Sequence, residues 1–221
     1  MSICSRCNSG CCRRYSIGLT GYDMLNISKN LGVKPEFFTE TYEIKDNLRF
    51  DNINKYNAVF KFTDNDCSFY YYFRMKKIKS CIVPDTWKCI FLQEWQMNNI
   101  NNIKETLLAR CSIYHCRPYI CASYPAKLDE KGLCGIVEMS NDHANETYNP
   151  AYNLCSEPFT IADYGFSNEL PMKNLALQKY ELEFFRSIAE NWNKNPFSID
   201  NFFFVLESFY QNRLFFFDQN S

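Results

Sequence analysis

The order of hydrophobic and polar residues predicts a helix shortly after the first cysteines of the chain. Thr20 is suited to cap the first turn of this helix. The carboxylate of Asp23, three residues later, is suited to accept from an exposed amide of the same turn. Gly32 suits the left-handed position that ends a helix. Between them, the apolar residues at helical spacing are Met24, Leu25, Ile27 and Leu31. Pro35 then begins a second short helix, which runs toward Tyr42.

Alternating residues replace the helical spacing in the next part of the chain. The segments 57–62 and 69–78 are rich in aromatic residues, and the polar run 63–66 lies between them, which predicts a β-hairpin. The Asn-rich residues 93–110 are interpreted as an insertion loop, with one or two helical turns at 104–109.

Helical spacing returns near the C-terminus. Apolar residues indicate one helix over 172–192 and another over 199–217, with a break at 193–196. Two helices separated by so short a break predict a helical hairpin.

Composition excludes several classes of function. The chain has 221 residues, of which 46% are hydrophobic, enough to bury a substantial core. Its formal net charge is −1, so no general positive field attracts nucleic acid. No apolar run reaches the ~18 to 20 residues that cross a bilayer. We therefore expect no nucleic-acid partner and no transmembrane segment, while composition leaves the oligomeric state open.

Twelve cysteines are the unusual feature of this composition. The N-terminus lacks the basic and apolar regions of a secretory signal, which predicts a reducing, cytoplasmic location. Clustered cysteines in that compartment more often hold metal or carry out redox chemistry than form disulfides. A disulfide framework is the alternative, because mature secreted chains can lack their signal.

Four of these cysteines lie within the first dozen residues. Two residues separate Cys4 from Cys7, a spacing that lets one turn aim both sulfurs at a metal. Cys11 and Cys12 are adjacent, so both can bind only if the backbone turns sharply or if each serves a different metal. Gly10 can supply an unusual backbone angle there.

A second group of cysteines follows far downstream. It consists of Cys89, Cys111, Cys121 and Cys155. Together the two groups supply more thiolates than one tetrahedral site can use. This favours two four-ligand sites, or an iron–sulfur cluster beside a second metal.

Basic residues accompany both groups. Four thiolates around a divalent metal carry a charge of about −2, which neighbouring cations offset. Arg6, Arg13, Arg14, Lys88, Arg110 and Arg117 each lie within two positions of a cysteine. Any one of them can be a solvated surface charge, but the set favours metal binding.

Several blocks of sequence carry a family resemblance. They are the N-terminal cysteines, Leu19-Thr20 to Asp23, Leu31-Gly32, Cys89-Ile-Phe-Leu92, Cys111-Ser-Ile-Tyr114, Arg117-Pro118, Cys121 and Tyr124-Pro125. In these blocks, spread over residues 4–158, the chain resembles the YkgJ-type cysteine-cluster family of zinc- or iron-chelating proteins. The resemblance implies that the cofactor is zinc or an iron–sulfur cluster. The ligands that it implies are Cys4, Cys7, Cys11, Cys12, Cys89, Cys111, Cys121 and Cys155.

Other cysteines and both histidines lie outside this pattern. The cysteines outside the pattern are Cys67, Cys81, Cys116 and Cys134. We expect all four to be buried free thiols, because cysteine packs as a small hydrophobe. Cys116 and Cys134 are the alternatives if one of the predicted ligands does not bind the metal. His115 lies inside the second cysteine group and is expected to be structural, with metal ligation or proton transfer as the alternative. His143 is the other histidine.

These observations predict an α+β fold. We expect a small cysteine-rich metal-binding core with short helices and a β-hairpin, plus a C-terminal helical hairpin. The metal-binding domain is expected at residues 1–165. Residues 166–221 are expected to form a helical extension packed on it.

Three classes of function remain open. The first is a redox enzyme or one that modifies a protein or peptide, with Tyr114, His115 and Arg117 lining the approach to an iron centre. A weaker resemblance to flagellin lysine methylases adds methyl transfer, although no G-x-G-x-x-G sequence marks a Rossmann-type pocket. The second is a structural zinc module that mediates protein interaction, because closed four-cysteine sites have no open coordination position. The third is a redox or metal sensor.

Overall fold

The computed structural model of the chain describes residues 9–45, 53–54, 56–64, 67–97, 106–128, 134–136, 150–154 and 169–218. The chain divides into two compact units. The first unit comprises Met1–Ser16 and Lys76–Ala176, and the second unit comprises Ile17–Met75 and Leu177–Ser221. The division at residues 165 and 166 that we expect from the sequence stays a prediction.

The predicted α+β class is confirmed. The elements of the first unit are α1 (Gly10–Arg14), β4 (Lys77–Lys79), β5 (Trp87–Cys89), β6 (Leu92–Met97), β7 (Thr106–Cys111), α3 (Tyr119–Ser123), β8 (Ala126–Leu128) and β9 (Cys134–Ile136). Those of the second unit are α2 (Gly21–Leu31), β1 (Thr39–Glu43), β2 (Phe60–Asp64), β3 (Cys67–Met75) and α5 (Phe202–Asp218). Helix α4 (Glu169–Lys194) runs through the sequence ranges of both.

Helix α2 begins and ends where the sequence predicts. The Asp23 amide donates to Thr20 Oγ1 at 3.2 Å and the Thr20 amide to Asp23 Oδ2 at 3.0 Å, which is a reciprocal capping box. Gly32 follows the helix with φ 65°, the left-handed conformation that glycine adopts without steric cost. Met24 and Ile27 are fully buried on the predicted apolar face.

The second unit contains the predicted β-hairpin, formed by β2 and β3 with Asp64 opposite Cys67. Strand β1 pairs with the other edge of β3 and completes an antiparallel sheet of order β1-β3-β2. The predicted helix from Pro35 toward Tyr42 is wrong, because it is only a 3₁₀ turn at Pro35–Phe37, followed by β1. Hydrogen bonds to β3 decide this, since the β-branched and aromatic residues of β1 fit a pleated edge.

Aromatic side chains from the sheet and the C-terminal helices form the core of the second unit. The rings of Phe73 and Phe202 stack with centroids 4.5 Å apart, and Phe60 contacts Phe185 at 4.9 Å. Trp192 packs on Phe202 at 5.4 Å and donates its Nε1–H to the Lys61 carbonyl at 2.8 Å. The predicted C-terminal helices therefore bury their apolar faces on the β2–β3 hairpin.

Small antiparallel hairpins build the first unit. The pairs are β4 with β5, β6 with β7, and β8 with β9. The prediction of an insertion loop over 93–110 with helical turns at 104–109 is wrong where the chain is described. Residues 92–97 and 106–111 are paired strands, with Leu92 opposite Cys111. Residues such as Leu108 and Ala109 favour helices locally, but cross-strand pairing outweighs that preference.

Candidate metal centre

A short helix, α1, carries two of the predicted ligands, Cys11 and Cys12, and both are half-buried. Ser9, rather than Gly10, has the left-handed backbone that starts this turn, with φ 59°. Its hydroxyl donates to the Ala109 carbonyl at 3.1 Å. The expectation of an unusual backbone angle at Gly10 is therefore wrong, since Gly10 is helical.

Gly10 is required for a close approach between two segments. A Cβ atom at this position would lie 1.8 Å from the carbonyl oxygen of Asn153. Helix α1 thus packs directly on residues 150–154, the segment that precedes Cys155. The same segment is held to β5, because the Trp87 amide donates to the Tyr152 hydroxyl at 2.8 Å.

Two more predicted ligands end the neighbouring strands. Cys89 is the last residue of β5, which packs against α1, and Cys111 is the last residue of β7. Burial is the main cause that raises the pKa of both thiols, and Cys11 is near enough to add to the rise in each by electrostatic interaction, as Cys111 does for Cys89. Three distant parts of the chain therefore bring cysteine side chains into one region.

Helix α3 carries the predicted ligand Cys121, and aromatic contacts place it beside α1. Tyr124, which follows α3, meets Tyr15, which follows α1, with ring centroids 5.5 Å apart. The hydroxyls of the two rings are 3.5 Å apart. Cys12 and Cys121 therefore lie on neighbouring helices, each three residues before one of these tyrosines.

Burial raises the pKa of both strand-end thiols. It raises the pKa of Cys89 to about 11, and the neighbouring Cys111 and Cys11 raise it further, while a backbone hydrogen bond and Lys77 act in the opposite direction. Burial also raises the pKa of Cys111, against a backbone hydrogen bond and the nearby Arg117. A metal that binds such thiols must displace their protons.

A buried ion network surrounds Glu94, and two of its members, Arg13 and Lys88, are sequence neighbours of predicted ligands. The Glu94 side chain is 1% exposed and accepts from Arg13, which is fully buried, and from Lys88 Nζ at 2.7 Å. Ser80 Oγ donates to both carboxylate oxygens, at 3.0 and 2.9 Å. Burial alone would raise the pKa of Glu94, but hydrogen bonds from Lys88, Arg13 and Ser80 hold it below the ordinary value. Glu94 is therefore ionised at neutral pH.

Sequence reasoning missed Glu94 because it lies in the stretch interpreted as a loop. Buried and exposed side chains alternate along β6. Leu92 and the Glu94 carboxylate are buried, whereas Gln93 and Trp95 are exposed. A carboxylate at an inward strand position requires a buried cation. That alternation, together with Arg13 and Lys88 next to cysteines, is the signal that would have identified the network.

The donor chemistry fits a thiophilic metal, although the described residues hold only part of the predicted set. Within them, no three His, Cys, Asp or Glu side chains are close enough to hold a metal ion. Cys4, Cys7 and Cys155 lie outside the described residues. The eight-cysteine ligand set stays a prediction. Zinc and iron–sulfur clusters both take thiolate ligands, as Cys11, Cys89 and Cys111 would supply.

The remaining cysteines and histidines differ in how exposed they are. Cys116 is buried, as expected, but Cys67 and Cys81 are exposed, so the prediction of buried thiols is wrong for those two. Cys67 opens β3 at the hairpin and Cys81 lies in the bend after β4, and neither position faces a core. His115 is exposed on the turn after β7. The Cys134 side chain and His143 lie outside the described residues.

Among the helices that the structure describes, none is both long enough and apolar enough to cross a membrane.

Comparison with known proteins places the first two thirds of the chain in a family. The family model CxxCxxCC, described as "Putative zinc- or iron-chelating domain", matches residues 3–155. No curated protein and no solved structure shows significant similarity. The description agrees with the predicted cofactor, zinc or an iron–sulfur cluster. Because the match covers more than half of its length, the chain belongs to the CxxCxxCC family of zinc- or iron-chelating domains.

Proposed function

We propose that this protein holds an iron–sulfur cluster or zinc through the cysteines of its first unit. The observation that carries the proposal is that Cys11, Cys89 and Cys111, from one helix and two strand ends far apart in sequence, lie in one region and interact electrostatically. A fold that half-buries several thiols in one region removes part of their hydration, and a thiophilic metal offsets that cost. The ligands assigned are Cys4, Cys7, Cys11, Cys12, Cys89, Cys111, Cys121 and Cys155.

Anaerobic purification with metal analysis and a visible spectrum tests the proposal. Iron and sulfide with a brown colour indicate the cluster, and stoichiometric zinc without colour indicates the zinc site. We expect Cys89→Ser and Cys111→Ser to lose most of the metal, because each removes a half-buried thiol that we assign as a ligand. Cys67→Ser and Cys81→Ser are matched controls at exposed positions and should keep it. Metal-free wild-type protein, or equal metal in all four variants, would refute the proposal.

A redox or modifying activity is the second candidate. On the turn after Cys111, Tyr114 is 53% exposed and the guanidinium carbon of Arg117 lies 3.9 Å from the centroid of its ring. Arg117 lies close to the thiol of Cys111: burial raises the pKa of that thiol, and a backbone hydrogen bond and the Arg117 charge oppose the rise. A protein or peptide substrate could therefore approach a centre held there. Reversible bleaching of the visible spectrum by dithionite under argon supports redox activity, and a spectrum that dithionite leaves unchanged argues against it.

A further inference from the structure

Among the residues that the structure describes, the ion network around Glu94 holds more positive than negative charge. Arg13 and Lys88 share the single carboxylate of Glu94, so two cations are paired with one anion. Arg13 is fully buried, and the side chains of Lys88 and Glu94 are 12% and 1% exposed. An excess charge away from water is costly unless another charge offsets it.

The guanidinium of Arg13 is also only partly used. Its Nη2 donates to Glu94, whereas Nε and Nη1 are buried and find no acceptor among the residues that the structure describes. Its backbone is fixed as well, since Lys77 Nζ donates to the Arg13 carbonyl at 2.6 Å. A guanidinium that is held in place with uncommitted donors can serve a second, negatively charged group.

The network is joined to the candidate ligands through adjacent residues. Arg13 follows Cys12 in α1, and its carbonyl accepts from Lys77, the residue that pairs with Cys89 across the β4–β5 hairpin. Glu94 pairs across the β6–β7 hairpin with Ala109, two residues before Cys111. Four thiolates on a divalent metal carry a charge of about −2, which is opposite in sign to the network's excess.

From these observations we propose that the surplus positive charge of Arg13 and Lys88 over Glu94 offsets the negative charge of the metal–thiolate centre. The inference rests on the proposed function. Glu94 neutralises only one of the two cations, so the network keeps one positive charge. Metal affinity should therefore follow the charge of this network.

Zinc alone is the probe, and its dissociation constant is measured by competition with a chromophoric chelator on the full reduced chain. Arg13→Met removes the excess charge and should weaken zinc binding about tenfold or more, as loss of a group behind the ligands commonly does. The double variant Arg13→Met with Glu94→Gln restores one positive charge through Lys88 and should recover most of the affinity. Arg13→Lys should stay close to wild type.

Arg110→Met is the matched control, because Arg110 is also next to a cysteine but is exposed and screened by solvent. Arg13→Met binding zinc as tightly as Arg110→Met would overturn the inference. So would a double variant as weak as Arg13→Met, since the geometry of the pair rather than its charge would then matter.

Circular dichroism checks that each variant folds. If Arg13→Met does not fold, Glu94→Gln decides the matter, because it adds positive charge and should bind zinc at least as tightly as wild type. Weaker binding by folded Glu94→Gln overturns the inference. Failure of wild-type protein to bind zinc or iron is a separate result that refutes the proposed function itself.

Discussion

At the residue scale, the lack of a side chain at Gly10 allows a close backbone contact. This contact positions two predicted ligands. Helix α1, with Cys11 and Cys12, approaches the carbonyl of Asn153 so closely that no Cβ fits between them. The obstacle is backbone, which cannot swing aside as the end of a flexible side chain can. The glycine therefore sets the distance between α1 and the segment before Cys155.

We predict that Gly10→Ala lowers the free energy of unfolding by at least about 3 kcal/mol, the upper range for overpacking, because the new methyl group meets a fixed carbonyl. The same change should reduce the amount of bound metal. Urea unfolding and metal analysis measure the two effects.

Gly135→Ala is the control for this prediction, since an ideal Cβ there meets nothing within 4 Å. Equal stability and metal content in the two alanine variants would contradict the role given to Gly10.

At the scale of elements, helices α4 and α5 are joined by a buried ion pair. Arg213 donates to Glu181 through two nitrogens, at 2.9 and 2.8 Å, and Glu181 is 4% exposed. The guanidinium also lies 4.4 Å from the centroid of the Phe184 ring. Salt bridges and aromatic faces together hold Arg213 in one geometry.

Arg213→Met should destabilise the protein by about 3 to 5 kcal/mol, because it leaves the Glu181 carboxylate buried without its cation. Urea unfolding measures this loss. Replacing both partners, as Glu181→Met with Arg213→Met, should recover much of the stability, since no charge then stays buried.

The exposed pair of Lys179 and Glu183, with nitrogen and oxygen 4.0 Å apart, provides the comparison within α4. Lys179→Met should change stability very little, because solvent screens that pair. If Arg213→Met were as mild as Lys179→Met, the pair between α4 and α5 would not contribute to holding the two helices together.

At the scale of the whole molecule, all predicted ligands fall within the sequence ranges of one unit. Cys4, Cys7, Cys11 and Cys12 belong to Met1–Ser16, and Cys89, Cys111, Cys121 and Cys155 to Lys76–Ala176. The second unit has a continuous aromatic core of its own around Phe60, Phe73 and Phe202. Metal is therefore expected to stabilise the two units unequally.

Removal of the metal by a chelator should raise amide hydrogen exchange in β5, β6 and β7 while β2, β3 and α5 stay protected, because metal-binding energy is folding energy only where the ligands are. Mass spectrometry of peptides after deuterium labelling measures this. Equal loss of protection in β3 and β7 would contradict the placement of all ligands in the first unit.

Local chemistry made part of this fold predictable. The capping box of Thr20 and Asp23, the glycine after α2 and the β2–β3 hairpin depend on residues only a few positions apart, and these predictions are confirmed. The family was also predictable, because cysteine spacing and the neighbouring blocks are properties of the sequence alone.

Contacts between distant segments determined the features of the structure that these local patterns do not predict. Residues 106–111 form a strand because 92–97 lie beside them, and Gly10 is required because Asn153 is close. The network of Arg13, Lys88 and Glu94 joins residues up to 81 positions apart. Capping and turn formation act within a few residues, so the sequence alone determined them. Close backbone approach and charge pairing depend on which distant segments meet, and only the folded structure determines that.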